Sequence, residues 1–191
     1  MTRINWCIPA LALALLLPGT VTADNALTVS GGLAVYDNDY LDDVIFGPTL
    51  VAYGRLENGL HLRAEGMRLE GETNSRDRAK ANRGEVELGY AQRANPWFDV
   101  LLGVEVTHID PNWTDSRTET GAMVGFRGEN DGLETEIHAL YRYPDSGSQS
   151  PQAGARLRTG GIHRDTGWGI GIGVTWLTDE QMASALVHRR F

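Results

Sequence analysis

The side chains able to do chemistry in this 191-residue chain recur at a spacing of two. His61, Arg63 and Glu65 form one such run, Glu85 and Glu87 a second, Asp99 and Glu105 belong to a third, Glu134, Glu136, His138 and Arg142 to a fourth, and Arg156 and Arg158 to a fifth. Arg127, His188 and Arg190 sit in the same phase of their own segments. A period of two places each run on one face of an extended strand. The other face is apolar: Leu60, Leu62 and Ala64 alternate with the first run, Val86, Leu88 and Tyr90 with the second, and Ile137, Ala139 and Tyr141 with the fourth. Charges of both signs gathered on one side of a sheet pair with each other, and the planar guanidinium fork is suited to holding carboxylates in a confined space. The expectation is an interior ion-pair network of Arg63, Glu65, Glu87, Asp99, Arg127, Glu134, Glu136, His138, Arg156 and Arg158. In it Glu136 faces Arg156 or Arg158, while Asp99, Arg127 and Glu134 share one end.

Other constellations are less complete. His108 lies two residues before Asp110, a spacing that suits a histidine and its acid in a hydrolase, but no serine stands beside them in the sequence, and no catalytic residue is expected. Asp37, Asp39, Asp42 and Asp43 offer oxygen ligands for Ca²⁺ or Mg²⁺ without the ordered spacing and glycine of an EF-hand, which leaves an ordinary solvated loop as the alternative. Arg76, Arg78, Lys80 and Arg83 form a basic cluster that reads as a loop able to meet anionic lipid head groups, or simply solvent. Lys80 is the only lysine, so every inward cation apart from histidine is an arginine. No metal and no cofactor is expected.

The elements that must carry these residues are strands. The clearest is Trp168-Gly169-Ile170-Gly171-Ile172-Gly173-Val174-Thr175-Trp176, large and apolar at even positions and small at odd ones. A half-buried soluble strand would carry polar residues on its second face. At about 3.3 Å per residue and a tilt of roughly 40°, the two indoles stand roughly 20 Å apart along a barrel axis, near the height of the apolar band of an outer-membrane barrel. Gly169, Gly171 and Gly173 either leave volume beside Arg156, Arg158 and His188 or relieve curvature.

Similar strands fill the rest of the chain. They are read at 26–36, 44–56, 60–70, 83–93, 98–109, 119–127, 133–143, 152–162, 168–176 and 182–191, about ten in all with eight as the alternative. Pro48 cannot donate to a ladder, so a bulge or fault is expected there. Short turns, such as Glu57-Asn58-Gly59, alternate strictly with longer polar loops, including 71–82 and 110–118. This sorting fits an up-and-down antiparallel transmembrane β-barrel with short periplasmic turns and longer extracellular loops. A soluble sandwich has no reason to sort its connections or to place Trp97, Trp168, Trp176, Tyr141 and Phe191 as an aromatic girdle.

Residues 1–23 read as a secretory signal, with Arg3 before the apolar stretch 8–17 and Val21-Thr22-Ala23 as the cleavage site. The barrel domain is then 24–191, and Cys7, the only cysteine, leaves with the signal. A net charge of −8 without a basic stripe argues against nucleic acid. No later segment has the 18 or more apolar residues that a membrane-spanning helix needs.

The C-terminus carries a resemblance. Phe191 as last residue, with Ala183, Ala185 and Val187 at alternate positions before it, resembles the terminal strand signal of outer-membrane β-barrel proteins, which implies insertion by the barrel-assembly machinery. Arg189 departs from that pattern and would have to snorkel at the interface. The chain 24–191 resembles the small barrels typified by OmpA and OmpX, and Tyr143-Pro144-Asp145-Ser146 and Gly154-Ala155-Arg156 are similar to the YfaZ group of predicted outer-membrane proteins. The resemblance implies a monomer in the outer membrane of a Gram-negative cell, in contact with lipid and lipopolysaccharide. Its expected role is structural, or very limited solute passage through a plugged lumen. A small-solute or ion channel is the alternative, and a lipid-modifying hydrolase a third reading.

Overall fold

The computed structural model describes residues 26–38, 41, 44–72, 78–130, 132–145, 150–163 and 165–191. The expected signal, Asp39, Asp42 and Asp43 of the acidic loop, and Arg76 of the basic cluster lie outside these residues. Alternation governs the fold. The ten strands are β1 (Ala26–Asn38), β2 (Ile45–Arg55), β3 (Leu60–Glu72), β4 (Arg78–Asn95), β5 (Phe98–Pro111), β6 (Arg117–Asn130), β7 (Leu133–Pro144), β8 (Gln152–Ile162), β9 (Trp168–Leu177) and β10 (Glu180–Arg190). Each pairs antiparallel with its neighbours in sequence, and β1 pairs with β10 from Thr28 opposite Arg190 to Asn38 opposite Glu180, so the sheet closes into a barrel. Closure leaves no strand edge unpaired.

Facing follows from the period of two. On β4 and β7 the inward Arg83, Glu87 and Arg142 are each 1% exposed, whereas the outward Leu102 and Phe126 of β5 and β6 are 56% exposed and Ile170 of β9 is 73%. Ions lie inside and apolar side chains outside, the reverse of a protein stabilised by water around it. Only hydrocarbon makes this arrangement favourable, and a closed ladder is one of the two ways a backbone can cross it with every N–H and C=O paired. The fold is a transmembrane β-barrel. Tyr90, Trp97, Phe98, Phe126, Trp168 and Phe191 ring one margin of the apolar belt, and Phe46, Tyr141, Tyr143 and Trp176 the other.

The two ends differ. One gathers the start of β1, the end of β10 and the connections β2–β3, β4–β5, β6–β7 and β8–β9 and is called the turn end; the opposite one is the loop end. Gly59, Gly132 and Gly167 have φ of 89°, 83° and 67°, and all three lie in turn-end connections, where tight reversal needs a left-handed residue.

Several local expectations change. At Pro48 the β2–β3 ladder passes from Phe46 opposite Glu70 to Thr49 opposite Met67 without a change of register, so the fault is a skipped stretch rather than a bulge. The irregularity in register falls instead between Arg93 and Asn95. The loop expected at 71–82 is largely strand, because β3 and β4 stay paired out to Glu72 opposite Arg78. Lys80 is therefore on a strand rather than in a loop, and Arg83 points into the barrel. The expected basic cluster is thus divided: Arg78 and Lys80 stand with Arg68 around Glu70 on the outer wall, at 2.7, 3.7 and 3.2 Å. At the loop end β9 and β10 are joined through Thr178 and Asp179 alone, which breaks the strict alternation of short and long connections at the last hairpin.

A charge on the belt tests the facing. Val104 is 54% exposed and flanked by Leu88 and Ala122. Val104→Arg is expected to cost about 2–4 kcal/mol in a bilayer, the range for a cation near the midplane. Arginine at Thr178, in the loop-end turn, should cost far less, and denaturant titration of the barrel in lipid vesicles compares the two.

Candidate functional site

The interior is layered along the barrel axis, and each layer is set by which inward positions the strands bring to the same height. Toward the loop end, on the side of β1 to β4 and β10, is an apolar cluster. Tyr36, Ile45, Met67, Leu69, Ala79, Ala81 and Met182 converge there with Leu41 from the β1–β2 connection, and Trp113 of the β5–β6 connection packs against them. Buried Glu180, Arg117 and Glu119 stand beside it at the loop-end starts of β10 and β6.

From this level toward the turn end the lumen is crossed by guanidinium–carboxylate contacts. Glu85 of β4 is the centre: Arg83 reaches it at 3.0 Å, Arg142 of β7 at 3.0 Å and Arg156 of β8 at 2.9 Å. Arg142 also bonds Glu105 of β5 through Nε, and reaches Glu180 of β10 at 3.2 Å. Glu180 accepts from Tyr36 Oη at 3.1 Å and from Arg117 at 3.3 Å, and Arg117 holds Glu119 at 2.7 Å. The sequence reading began β6 after Arg117 and β10 after Glu180, assigned Arg83 to the basic loop cluster, and left Glu119 and Tyr36, at the ends of their strands, out of the interior. Continuation of the inward phase past the polar outer residues was the signal that could have found them.

Three carboxylates, Glu85, Glu87 and Glu105, bring oxygens within 4.8 Å of one another, a spacing a metal ion could use. Arg156 already occupies that position. Its guanidinium lies 2.9, 3.4 and 2.8 Å from Glu85, Glu87 and Glu105, so a fixed organic cation balances the acids.

The remaining members of the expected network lie further toward the turn end. Arg158 reaches Glu87 at 2.8 Å and Glu136 at 3.6 Å, and stands opposite Glu136 in the β7–β8 register. His138 is 3.4 Å from Glu136, and His61 is 3.2 Å from Glu87. Arg63 bonds Glu65 at 3.1 Å, and Glu65 accepts from Thr49 Oγ1 at 3.2 Å. Asp99 and Arg127 bond each other near the turn end, where Arg127 also donates to Tyr53 Oη at 3.2 Å and Arg93 approaches Asp99 at 3.1 Å. Glu134 lies at that same end, in the wall of a cavity of about 580 Å³ that Arg190 and Phe191 of the last strand's end also line. Gly160, Gly171 and Gly173 line one side of this cavity and Arg63, Glu65 and Glu136 another.

His108 is placed on the outer face and has its Nδ1 3.0 Å from Thr118 Oγ1. Of the four aspartates of the first loop, Asp37 alone is among the described residues. Trp97, Trp168 and Phe191 stand at the turn-end margin of the belt, Tyr141 and Trp176 at the loop-end margin. Arg189 lies with its guanidinium 5.1 Å from the Trp168 ring and 5.8 Å from that of Phe191, and donates to the Thr166 carbonyl at 2.9 Å. An arginine stacked in this way at the interface keeps its charge out of the belt.

No protein-family model matches the chain, and no curated protein sequence does. Solved structures that are similar to it include the KdgM porin, at 14% identity and a TM-score of 0.49 over 86% of this chain and 99% of that one. Another is Neisserial surface protein A, at 10% identity and a TM-score of 0.42 over 87% and 95%. A third is Ail, the attachment invasion locus protein of Yersinia pestis in complex with the heparin analogue sucrose octasulfate, at 14% identity and a TM-score of 0.38 over 87% and 97%. What makes this chain a membrane barrel is its own closed ladder and apolar belt.

Removing the central acid should unbalance the layer. Glu85→Ala leaves Arg83, Arg142 and Arg156 facing one another without their shared carboxylate, and truncating one partner of a buried ion pair costs about 3–5 kcal/mol. Equilibrium unfolding in urea, read by loss of the compact folded band on an unheated gel, should register a loss of that size. Glu70→Ala, on the exposed outer wall, should change stability by under about 1 kcal/mol.

Proposed function

We propose that the protein is an outer-membrane β-barrel of a Gram-negative cell that contributes to the integrity of the membrane and does not conduct solutes freely. The single observation that carries this reading is that arginines of β7 and β8 reach Glu85 of β4 across the lumen, beside the apolar cluster formed with Leu41. A hydrated ion would have to break paired charges and then pass the apolar cluster, and both steps oppose passage. On this reading 1–23 is a cleaved export signal, the turn end faces the periplasm, and Phe191 presents the terminal strand to the barrel-assembly machinery. The outer wall meets lipid and lipopolysaccharide.

A second reading, a narrow channel, is favoured by one feature, the cavity of about 580 Å³ that enters the lumen from the turn end. Electrical recording in planar bilayers separates the two. The wild-type barrel is expected to show no steady conductance at modest voltage, while the double substitution Arg142→Ala with Arg156→Ala, which removes two of the three arms that cross the lumen to Glu85, should produce openings. Stable wild-type channels would overturn the sealed-lumen reading in favour of the channel.

A further inference from the structure

We propose that Ser30 and His188 form a nucleophile–base pair for acyl transfer, set in the turn-end cavity. The proposal rests on the geometry of that cavity and not on whether the lumen conducts. Closure of the barrel places the two residues directly opposite one another across β1 and β10, and Ser30 Oγ lies 3.0 Å from His188 Nδ1. The imidazole Nε2 and the backbone oxygen of Ile170 on β9 border the same point beside Gly160. With Nε2 carrying the ring proton on that side, Nδ1 of the neutral ring holds the lone pair and accepts the hydroxyl proton of Ser30. A nucleophile bonded to a base, with the base oriented by a third group, is the general pattern of an activated serine.

The surroundings make room for this ring. A Cβ on Gly171 would stand 2.6 Å from His188 Cε1 and Nε2, and one on Gly160 would stand 2.8 Å from Nε2. Side chains at either position would push the imidazole from its place. The small side of the cavity is therefore the seat of His188. Ser30 and His188 both line the cavity, and so does Arg63. A guanidinium in the same cavity as the nucleophile suits the negative charge that forms during acyl transfer.

The substrate class is a carboxylic ester small enough to enter about 580 Å³ from the turn end. Ser30 Oγ forms a bond to the carbonyl carbon as its proton passes to His188 Nδ1. The carbon–oxygen bond to the alcohol breaks, and the departing oxygen takes that proton. Water then attacks the acyl-serine through the same base, which releases the acid and restores Ser30.

The test uses the full barrel purified from membranes in detergent, with folding of every variant established by its heat-modifiable mobility. A fluorophosphonate probe should label Ser30, with the phosphorus–oxygen bond formed as fluoride leaves, and peptide mass mapping should locate the adduct. Labelling is expected to vanish in Ser30→Ala and to slow by about 100-fold or more in His188→Gln, the range for a lost general base. Should His188→Gln not fold, the comparison moves to single cysteines at 30 and 184 in a Cys7→Ser background that retains His188. Ser184 lines the same cavity away from the imidazole hydrogen bond. The thiol of Ser30→Cys is expected to alkylate with iodoacetamide about tenfold faster at neutral pH than that of Ser184→Cys. Absence of label from Ser30 in a folded wild-type barrel, or equal thiol reactivity at the two positions, overturns the proposal.

Discussion

The barrel depends on one constraint: charges enclosed by a closed sheet have no bulk water to turn to and must satisfy one another. Withdrawing a single ion from water costs several kcal/mol even after relaxation, and mutual attraction offsets this only when geometry is good and the remaining hydrogen-bonding capacity is used. Arginine meets these conditions where lysine would not. Its fork spans more than one carboxylate, as Arg156 does with Glu85, Glu87 and Glu105, and Arg142 does with Glu85, Glu105 and Glu180. These contacts cross the lumen from β7 and β8 to β4, β5 and β10, so they exist only once the sheet has closed. Closure and neutralisation are then a single event. The ionic interior selects the barrel, and the barrel makes the ionic interior tolerable.

From this follows the difference between the ends. Where the long arginines meet the acids, side chains of β7 and β8 reach β4, β5 and β10 across the lumen. Toward the turn end the inward positions of β8 and β9 shrink to Gly160, Gly171 and Gly173, and the wall opposite cannot fill the space they leave. The cavity is thus a product of the same alternation that builds the network, with glycine in place of arginine at the equivalent phase. Its outer face is the most apolar stretch of the chain, with Ile170 and Ile172 between Trp168 and Trp176. One strand therefore anchors the protein in lipid with large side chains and opens its interior with absent ones.

The alternation was legible in the sequence except in β2, whose facing was unclear, since a period of two fixes facing without reference to any partner. The ends of the strands were not. Above the belt the outer face of β3 and β4 turns from Leu62, Ala64 and Val86 to Arg68, Glu70, Arg78 and Lys80, so both faces are polar and the composition imitates a loop. The backbone nonetheless stays paired, because the ladder does not depend on what its outer face meets. That is why Arg83 reads as part of a surface cluster when it is in fact 1% exposed at the centre of the interior. Arg117 and Glu180 are misread for the same reason, each lying at the polar end of a strand that projects beyond the belt. Lateral neighbours were recoverable from hairpin order, whereas contacts across the lumen needed the closed ring.

The pairing of Ser30 with His188 belongs to the second kind of information. They are separated by 158 positions, neither lies in a motif, and only the register that joins the first strand to the last sets them side by side. A reading that looks for a serine near each histidine along the chain will pass over such a pair, as it did when His108 was weighed for chemistry on the strength of a nearby acid. On the proposed sealed-lumen reading, the turn-end cavity is a recess entered from one side and walled by fixed dipoles and charges. Such a recess is poorly suited to transport and well suited to holding a solute against a positioned group, because electrostatic contacts strengthen as water is excluded. On that reading the fixed charges that oppose conduction are also the ones that act on a solute held beside Ser30 and His188.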